Sequence, residues 1–426
     1  MKNNSFRKTI ALIACLSLMT SAFAGCSDKK EIDKYKDRIE ELEEENDELR
    51  EKLDEYEKGG KKSDDKEKTE EAEETDETET TEETAAESAY SEGLEFVSLG
   101  NGNAVLTGIG TCTDSNIVVP DKTPAGDIVT EVGKEAFLYK SVSSVVLPDT
   151  ITRIGDSAFT GTGISSINLP EGLTTIDAKA FHNCYNLTSI ELPSTLTFIG
   201  EYAFNLSAIE SISLPSSLTE ISAYAFRETP ITTIEFSTGL TTIGEGAFSS
   251  TKITELTIPE GVTTIGDGAF DQCGLLTTVV LPNSCVDIGT YKYCKSLTSV
   301  TLPSSLTEIH EAAFAKCSNL PAIELPETLT KIGDDAFEGT ALTSVVIPAN
   351  VTLLDGSVFT DCEYLSSVTL PDTIEWYTYD EQYDYKDWNS YGCFDNCPRL
   401  ESINGMNPVD WANGIDEELA DTLGLV

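Results

Sequence analysis

The sequence predicts a mainly β solenoid of about twelve turns, each 22–23 residues long, behind an N-terminal coiled-coil helix and a disordered linker. Two observations carry this. The first is a recurring phrase, LPEGLTTIDAKAFHNCYNLTSIELP at 169–193, which returns as LPSSLTEISAYAF, IPEGVTTIGDGAF, LPSSLTEIHEAAF and LPETLTKIGDDAF. The second is the period of its aromatic: Phe137, Phe159, Phe181, Phe204, Phe226, Phe248, Phe270, Tyr293, Phe314, Phe337, Phe359 and Phe394. A unit this short cannot enclose a core alone and buries its apolar side only by stacking on its neighbours. At about 4.8 Å per turn the stack spans on the order of 55–60 Å.

Within a repeat, LTSIELP at 187–193 fits the pattern L-x-x-L-x-L. Ile190 and Leu192 alternate with Ser189 and Glu191, which is strand periodicity with one face buried. Pro193 ends the strand because it offers no amide to a ladder. Leu196 and Ile199 form a second short apolar step, and Gly200 suits a tight or left-handed turn. Ala203 and Phe204 follow, and stacked copies of the Phe make an aromatic spine.

Three residues after the Phe lies a slot for a small side chain. Longer repeats fill it with Cys184, Cys273, Cys317, Cys362 or Cys397, and shorter ones with Thr162, Ser207, Thr229, Thr251 or Thr340. The repeat around Tyr293 reads as contracted, with Cys294 directly after the aromatic. Exchange of thiol for hydroxyl points to a buried donor serving a nearby carbonyl. It points away from disulfides, because Thr cannot bridge and in-register side chains lie alongside one another. A line of thiols also lacks the tetrahedral arrangement of a zinc site, so no metal or other cofactor is expected.

These motifs resemble the BspA-type leucine-rich repeat family of bacterial surface proteins, over roughly Leu94 to Asn404. The entry segment GNGNAVLTGIGTCTDSNIVVP is similar to the family's usual opening. The resemblance implies attachment at the cell surface and binding of host proteins or other microbes. Repeat folds serve many unrelated partners, so the residues themselves identify none.

Residues 1–25 read as a lipoprotein signal peptide: Lys2, Arg7 and Lys8 precede an apolar run from Ile10 to Ala24 that is too short to span a bilayer. The run ends in Phe-Ala-Gly-Cys, so Cys26 is the expected lipidated residue and the chain is expected to be exported and held to the outer face of the cell membrane. Residues 26–58 carry a heptad: Ile32, Tyr35, Ile39, Leu42, Asn46, Leu49, Leu53 and Tyr56. Asn46 at an a position is satisfied beside its own twin, which favours a parallel homodimer. Gly59-Gly60 stops the helix, and 59–92 is an acidic, self-repelling linker. Residues 93–120 predict a hairpin cap around Asn101-Gly102, 121–404 the solenoid, and 405–426 a cap or tail with a short helix from Asp410 to Leu425.

The formal net charge is −46, and from Gly93 onward 13 basic residues face 45 acidic ones, which argues against nucleic acid as a partner. The only histidines, His182 and His310, stand in different repeats, and His310 takes the turn-glycine position. No P-loop, nucleophile elbow or zinc-protease motif is present, and the chain reads as a non-enzyme. The outward strand columns, Ser189, Ser211, Thr233 and Glu255 beside Glu191, Ser213, Glu235 and Thr257, are a polar sheet poor in the residues that carry binding energy.

The repeat breaks once. Phe394 comes twelve residues late, behind an insertion at 376–391 containing Trp376, Tyr377, Tyr379, Tyr383, Tyr385, Trp388 and Tyr391. Loops rich in Trp and Tyr suit a protein hot spot or sugar rings at the cell exterior. Folding back as a shield for the last turns is the competing reading. The whole reads as a surface lipoprotein presenting its solenoid for adhesion or protein binding. The alternatives are an envelope spacer and a glycan binder acting through the insertion.

Overall fold

The computed structural model describes residues 90–354, 356–376, 392–414 and 425. They wind into a solenoid in which most turns give a short strand to each of two parallel ladders, which break into shorter sheets along the stack. One ladder runs through Asn116–Val118, Ser144–Val146, Ser211–Ser213, Thr233–Glu235, Glu255–Thr257, Thr278–Val280, Ser344–Val346 and Ser367–Thr369. Its central side chains, such as Val145, Ile212 and Val279, are buried while their neighbours face out. No strand is assigned at Ser189–Glu191 or over 320–326; in the second place Pro321 supplies no amide.

The other ladder departs from the sequence reading. The step through Ile199 is itself a strand, Phe198–Ile199, aligned with Thr175–Ile176 and repeated at Glu220–Ile221, Thr242–Ile243, Thr264–Ile265 and Lys331–Ile332. Register advances by one repeat, so Ile221 lies beside Ile243 and Ile243 beside Ile265. Gly200 also has a different reason from the expected one. It is not left-handed; a Cβ there would come within 2.4 Å of the Ala178 amide nitrogen, so glycine admits the neighbouring turn.

Between the ladders a tight corner holds the aromatic. Residues two before and two after the ring are left-handed, for example Glu135 and Tyr139 around Phe137, Ser157 before Phe159, and Lys179 and Asn183 around Phe181. Most are not glycine, and each such residue costs about 1 kcal/mol in isolation. The compensation is an inter-turn ladder in which alternate amides point the same way: Glu135 N donates to Asp156 O (2.9 Å), Phe137 N to Ala158 O (2.7 Å) and Tyr139 N to Thr160 O (2.9 Å).

Twelve rings form the spine, and the eighth is Tyr291, not Tyr293. Tyr291 is fully buried between Phe270 and Phe314, whereas Tyr293 is 41% exposed. The contraction therefore lies before the ring: Phe270 comes five positions after Ile265, but Tyr291 only three after Ile288. Side chains repair the shortened corner. Gly268 N donates to Thr290 Oγ1 (2.9 Å), and Asp271 Oδ1 accepts from Thr290 Oγ1 (2.8 Å) and Lys292 N (2.7 Å). Counted from Tyr291, Cys294 falls in the ordinary slot.

At the N-terminal end Glu95–Ser98 and Asn103–Gly108 form the expected antiparallel hairpin, with Gly100 and Gly102 left-handed in its turn. Asn103–Gly108 then pairs in parallel with Ile128–Val132 and so covers the first edge of the second ladder. At the other end the helix is Pro408–Asn413, starting earlier than expected, because Asn407 caps it through Val409 N and Asp410 N and Pro408 fits its first turn. It buries Trp411 and Ala412 against the last turn. Among the described residues no helix is long and apolar enough to cross a membrane.

Candidate functional site

The small-residue slot is a buried donor column. Cys184 Sγ donates to Phe159 O at 3.2 Å, Cys273 Sγ to Phe248 O at 3.3 Å and Cys317 Sγ to Tyr291 O at 3.2 Å, each reaching back to the preceding turn's spine carbonyl. A Thr in the same slot instead serves the ring residue of its own turn: Thr162 Oγ1 donates to Phe159 O at 2.9 Å and Thr229 Oγ1 to Phe226 O at 2.7 Å. Phe159 O thus accepts from both Thr162 and Cys184. The two hydroxyl and thiol side chains touch across turns, at 3.6 Å for Thr162 and Cys184 and 3.2 Å for Thr251 and Cys273. Burial pushes the Cys184 and Cys317 thiols up to about 12, so they are packing groups, not nucleophiles.

The polar strand face is present as expected. Ser189, Glu191, Ser211, Ser213, Thr233, Glu235, Glu255 and Thr257 are all exposed. Exposed Val146, Val280 and Val346 interrupt it singly. The corner carries a feature that the repeat pattern hides. Tyr202 and Tyr224, both left-handed, stack at 4.8 Å, with Lys179 Nζ 5.7 Å above the Tyr202 ring. Gly246 lies beneath Tyr224, where a Cβ would meet the ring at 2.4 Å. Only counting from the spine residue, two places back, brings these tyrosines into one column.

The histidines do not meet. His182 is half-buried, and desolvation, then Lys179, lowers its pKa; its Nδ1 has no hydrogen-bond partner among the described residues. His310 Nδ1 lies 3.6 Å from both Asp267 Oδ1 and Asp287 Oδ1 on the surface. Among the described residues no group of three or more His, Cys, Asp or Glu is arranged to hold a metal.

Cys26 and the heptad from Ile32 to Tyr56 lie outside the described residues, as do Tyr377, Tyr379, Tyr383, Tyr385, Trp388 and Tyr391. The two ends of the insertion are described. The chain departs from Glu375–Trp376, where Trp376 pairs in register with Leu354, and it returns at Gly392, whose carbonyl accepts from Thr360 Oγ1 at 3.1 Å. Between these ends the core is continuous. Phe359 N donates to Cys393 O (3.0 Å), and the Phe359 and Phe394 rings stack at 5.9 Å with a 3° interplanar angle. A cavity of about 720 Å³ opens beside this last turn, bordered by Asn396, Cys397, Pro398, Asn407, Val409 and Leu425.

Comparison with known proteins finds similar chains among solved bacterial repeat proteins. A leucine-rich repeat protein from Bacteroides ovatus is 22% identical over 78% of this chain and 97% of its own, with a TM-score of 0.47. A leucine-rich cell surface protein from Faecalibacterium prausnitzii is 26% identical over 71% and 96%, with a TM-score of 0.41. The pneumococcal vaccine antigen PcpA is 19% identical over 68% and 92%, with a TM-score of 0.40. No curated protein matches the chain. The family profile of the BspA type leucine-rich repeat region matches in six copies, over 130–251, 174–293 and 289–410. With the phrase, the spine and the profile in agreement over most of its length, the chain belongs to the BspA-type leucine-rich repeat family.

Proposed function

We propose that the protein is a cell-surface lipoprotein, anchored through Cys26, that presents its solenoid for adhesion or protein binding. The observation that supports this most is the way the insertion is grafted. The spine passes from Phe359 to Phe394 as regularly as between turns without an insertion, so the core does not need the intervening aromatics. Side chains such as Tyr377, Tyr383 and Trp388 are the ones proposed to contact a ligand. Trp376 is set apart, because it stands at the register position of the buried Ile column. The outward strand face, by contrast, is acidic and hydroxyl-rich.

Deleting 377–390 separates the readings. Binding to a panel of host proteins and glycans should be lost while the melting temperature stays within a few degrees. Intact binding with a large fall in melting temperature would make the insertion a cap. Absence of any binding by the parent chain would leave the spacer reading. Anchoring is tested separately: mature protein should begin at Cys26 with an acylated N-terminus, and Cys26→Ala should release it from the membrane.

A further inference from the structure

Asparagine is followed by glycine at Asn101-Gly102, Asn404-Gly405 and Asn413-Gly414. In such a pair the glycine nitrogen, with no Cβ beside it, is free to close on the side-chain amide carbon of the asparagine. The fold treats the three pairs differently. Asn404 is held at both ends of its amide: Oδ1 accepts from Leu370 N at 2.7 Å and Nδ2 donates to Leu370 O at 3.1 Å. Asn413 ends the helix Pro408–Asn413, and there the Gly414 nitrogen is occupied, donating to Asp410 O and Trp411 O, both at 3.2 Å.

Asn101 and Gly102 carry neither restraint. Both are exposed in the turn of the N-terminal hairpin. Asn101 Oδ1 accepts from Asn103 N at 3.1 Å, which polarises the amide carbon, while no described group accepts from Asn101 Nδ2 or Gly102 N. A Cβ at Gly100 or Gly102 would meet nothing within 4 Å, so a ring has room to form, and glycine on either side leaves the backbone of Asn101 free to turn into it. We propose that Asn101-Gly102 is a self-modification site, at which the folded protein converts asparagine to aspartate and isoaspartate while the other two pairs persist.

Gly102 N loses its proton to solvent base and attacks Asn101 Cγ. The Cγ–Nδ2 bond breaks, and the departing nitrogen takes up a proton and leaves as ammonia. One water then opens the five-membered imide. Attack at Cγ gives aspartate; attack at the Asn101 backbone carbonyl carbon gives isoaspartate. One water is consumed, one ammonia is released, and no electrons are exchanged. Both products add a negative charge, and isoaspartate lengthens the main chain of the turn by one carbon. The next carbonyl along, Gly102 O, accepts from Ile128 N at 2.8 Å and so ties the hairpin to the second ladder. Conversion therefore loosens the cap at that bond.

The full chain is held in mildly alkaline buffer, and its peptides are mapped by mass spectrometry at intervals. The peptide carrying residue 101 should gain the mass of an amide-to-acid exchange and separate into two products of equal mass. Residues 404 and 413 should convert at least roughly tenfold more slowly, because their hydrogen bonds must break before the ring closes. In urea, where those bonds are gone, the three rates should converge. Asn101→Gln, an exposed change, should fold and lose the fast conversion, since its ring would need one more atom. Exchange of the Ile128 amide should quicken as the parent chain converts and stay constant in Asn101→Gln. Equal rates at the three sites in the folded chain, rates in urea that stay apart, a single aspartate product or an unchanged Ile128 amide would each overturn the proposal.

Discussion

Tyr291 stacks on Phe270 with ring centroids 5.9 Å apart and planes within 5°, which puts a phenol into a column otherwise made of phenylalanine. Its hydroxyl has no hydrogen-bond partner among the described residues, and burial raises its pKa well above the ordinary value, with the nearby thiols of Cys285, Cys294 and Cys273 adding to the effect. Cys285 stands where other repeats have Leu218, Leu240 or Leu306, and the shorter side chain makes room for the added oxygen. Tyr291→Phe should therefore stabilise the protein, by about 1–3 kcal/mol if the full desolvation cost is recovered. Tyr291→Ala should cost about 3–5 kcal/mol and Tyr293→Ala under about 1. Urea unfolding of the three variants checks which tyrosine belongs to the spine; equal losses at 291 and 293 would remove Tyr291 from it.

The thiol slot makes a second prediction, with a pH dependence. Cys184→Thr should be nearly neutral at pH 7, while Cys184→Leu should cost about 1–3 kcal/mol by overfilling the slot. The Cys184 pKa rises by burial from 9.0 to about 12. Below 9.0 the thiol is neutral in folded and unfolded chains alike and its contribution is intact. Above 9.0 the unfolded thiol ionises first, so stability is lost as the pH rises toward about 12. Between pH 8 and 10, Cys184→Thr should gain about 1 kcal/mol relative to the parent chain. A pH-independent difference in denaturant midpoints would contradict the assignment.

Assembly is predicted from the heptad. A chain beginning at Ser27 should sediment as a dimer and one beginning at Leu94 as a monomer. Asn46→Leu should raise helix stability and broaden the range of oligomers, because a buried polar a residue trades stability for register. Monomers in both cases would reduce the heptad to a solvated helix.

What the sequence made legible follows from residue size and spacing. Eleven of the twelve spine rings could be counted because Phe recurs with little change in period. Tyr291 was missed because its interval from Phe270 is 21 and the more regular Tyr293 lay two residues on. The second ladder was missed because Phe198–Ile199 and its equivalents are two residues long, too short for alternation to register. The left-handed corners were invisible because Glu135, Ser157 and Lys179, not glycine, occupy them, held by neighbouring turns that a single repeat does not contain. The slot chemistry was legible from Thr–Cys exchange. The exposed end of that column was not, since it depends on where the stack stops. The stacked Tyr202 and Tyr224 escaped notice because the pattern drew attention to the aromatic it already explained.

Asp335 carries the last prediction. It is one of the left-handed corner residues, two before Phe337, and it is half-buried. Desolvation, followed by repulsion from Asp334 and Glu338, raises its carboxyl from 3.8 to about 6; Lys292 opposes the shift and Glu311 adds to it. A carboxyl with a raised folded-state pKa contributes its stability below the unfolded value, where it is protonated in both states. That contribution is lost as the pH climbs from 3.8 through about 6, because the unfolded chain releases the proton more readily. Asp335→Asn keeps the shape, tolerates the left-handed backbone and removes the charge. It should match the parent chain near pH 3.5 and exceed it at pH 7 by about 1 kcal/mol, after allowing for solvent screening of a partly exposed group. Melting curves of both proteins across this window decide the matter. A difference that does not change with pH would mean that Asp335 titrates normally and that its neighbours Asp334 and Glu338 are too well solvated to act on it.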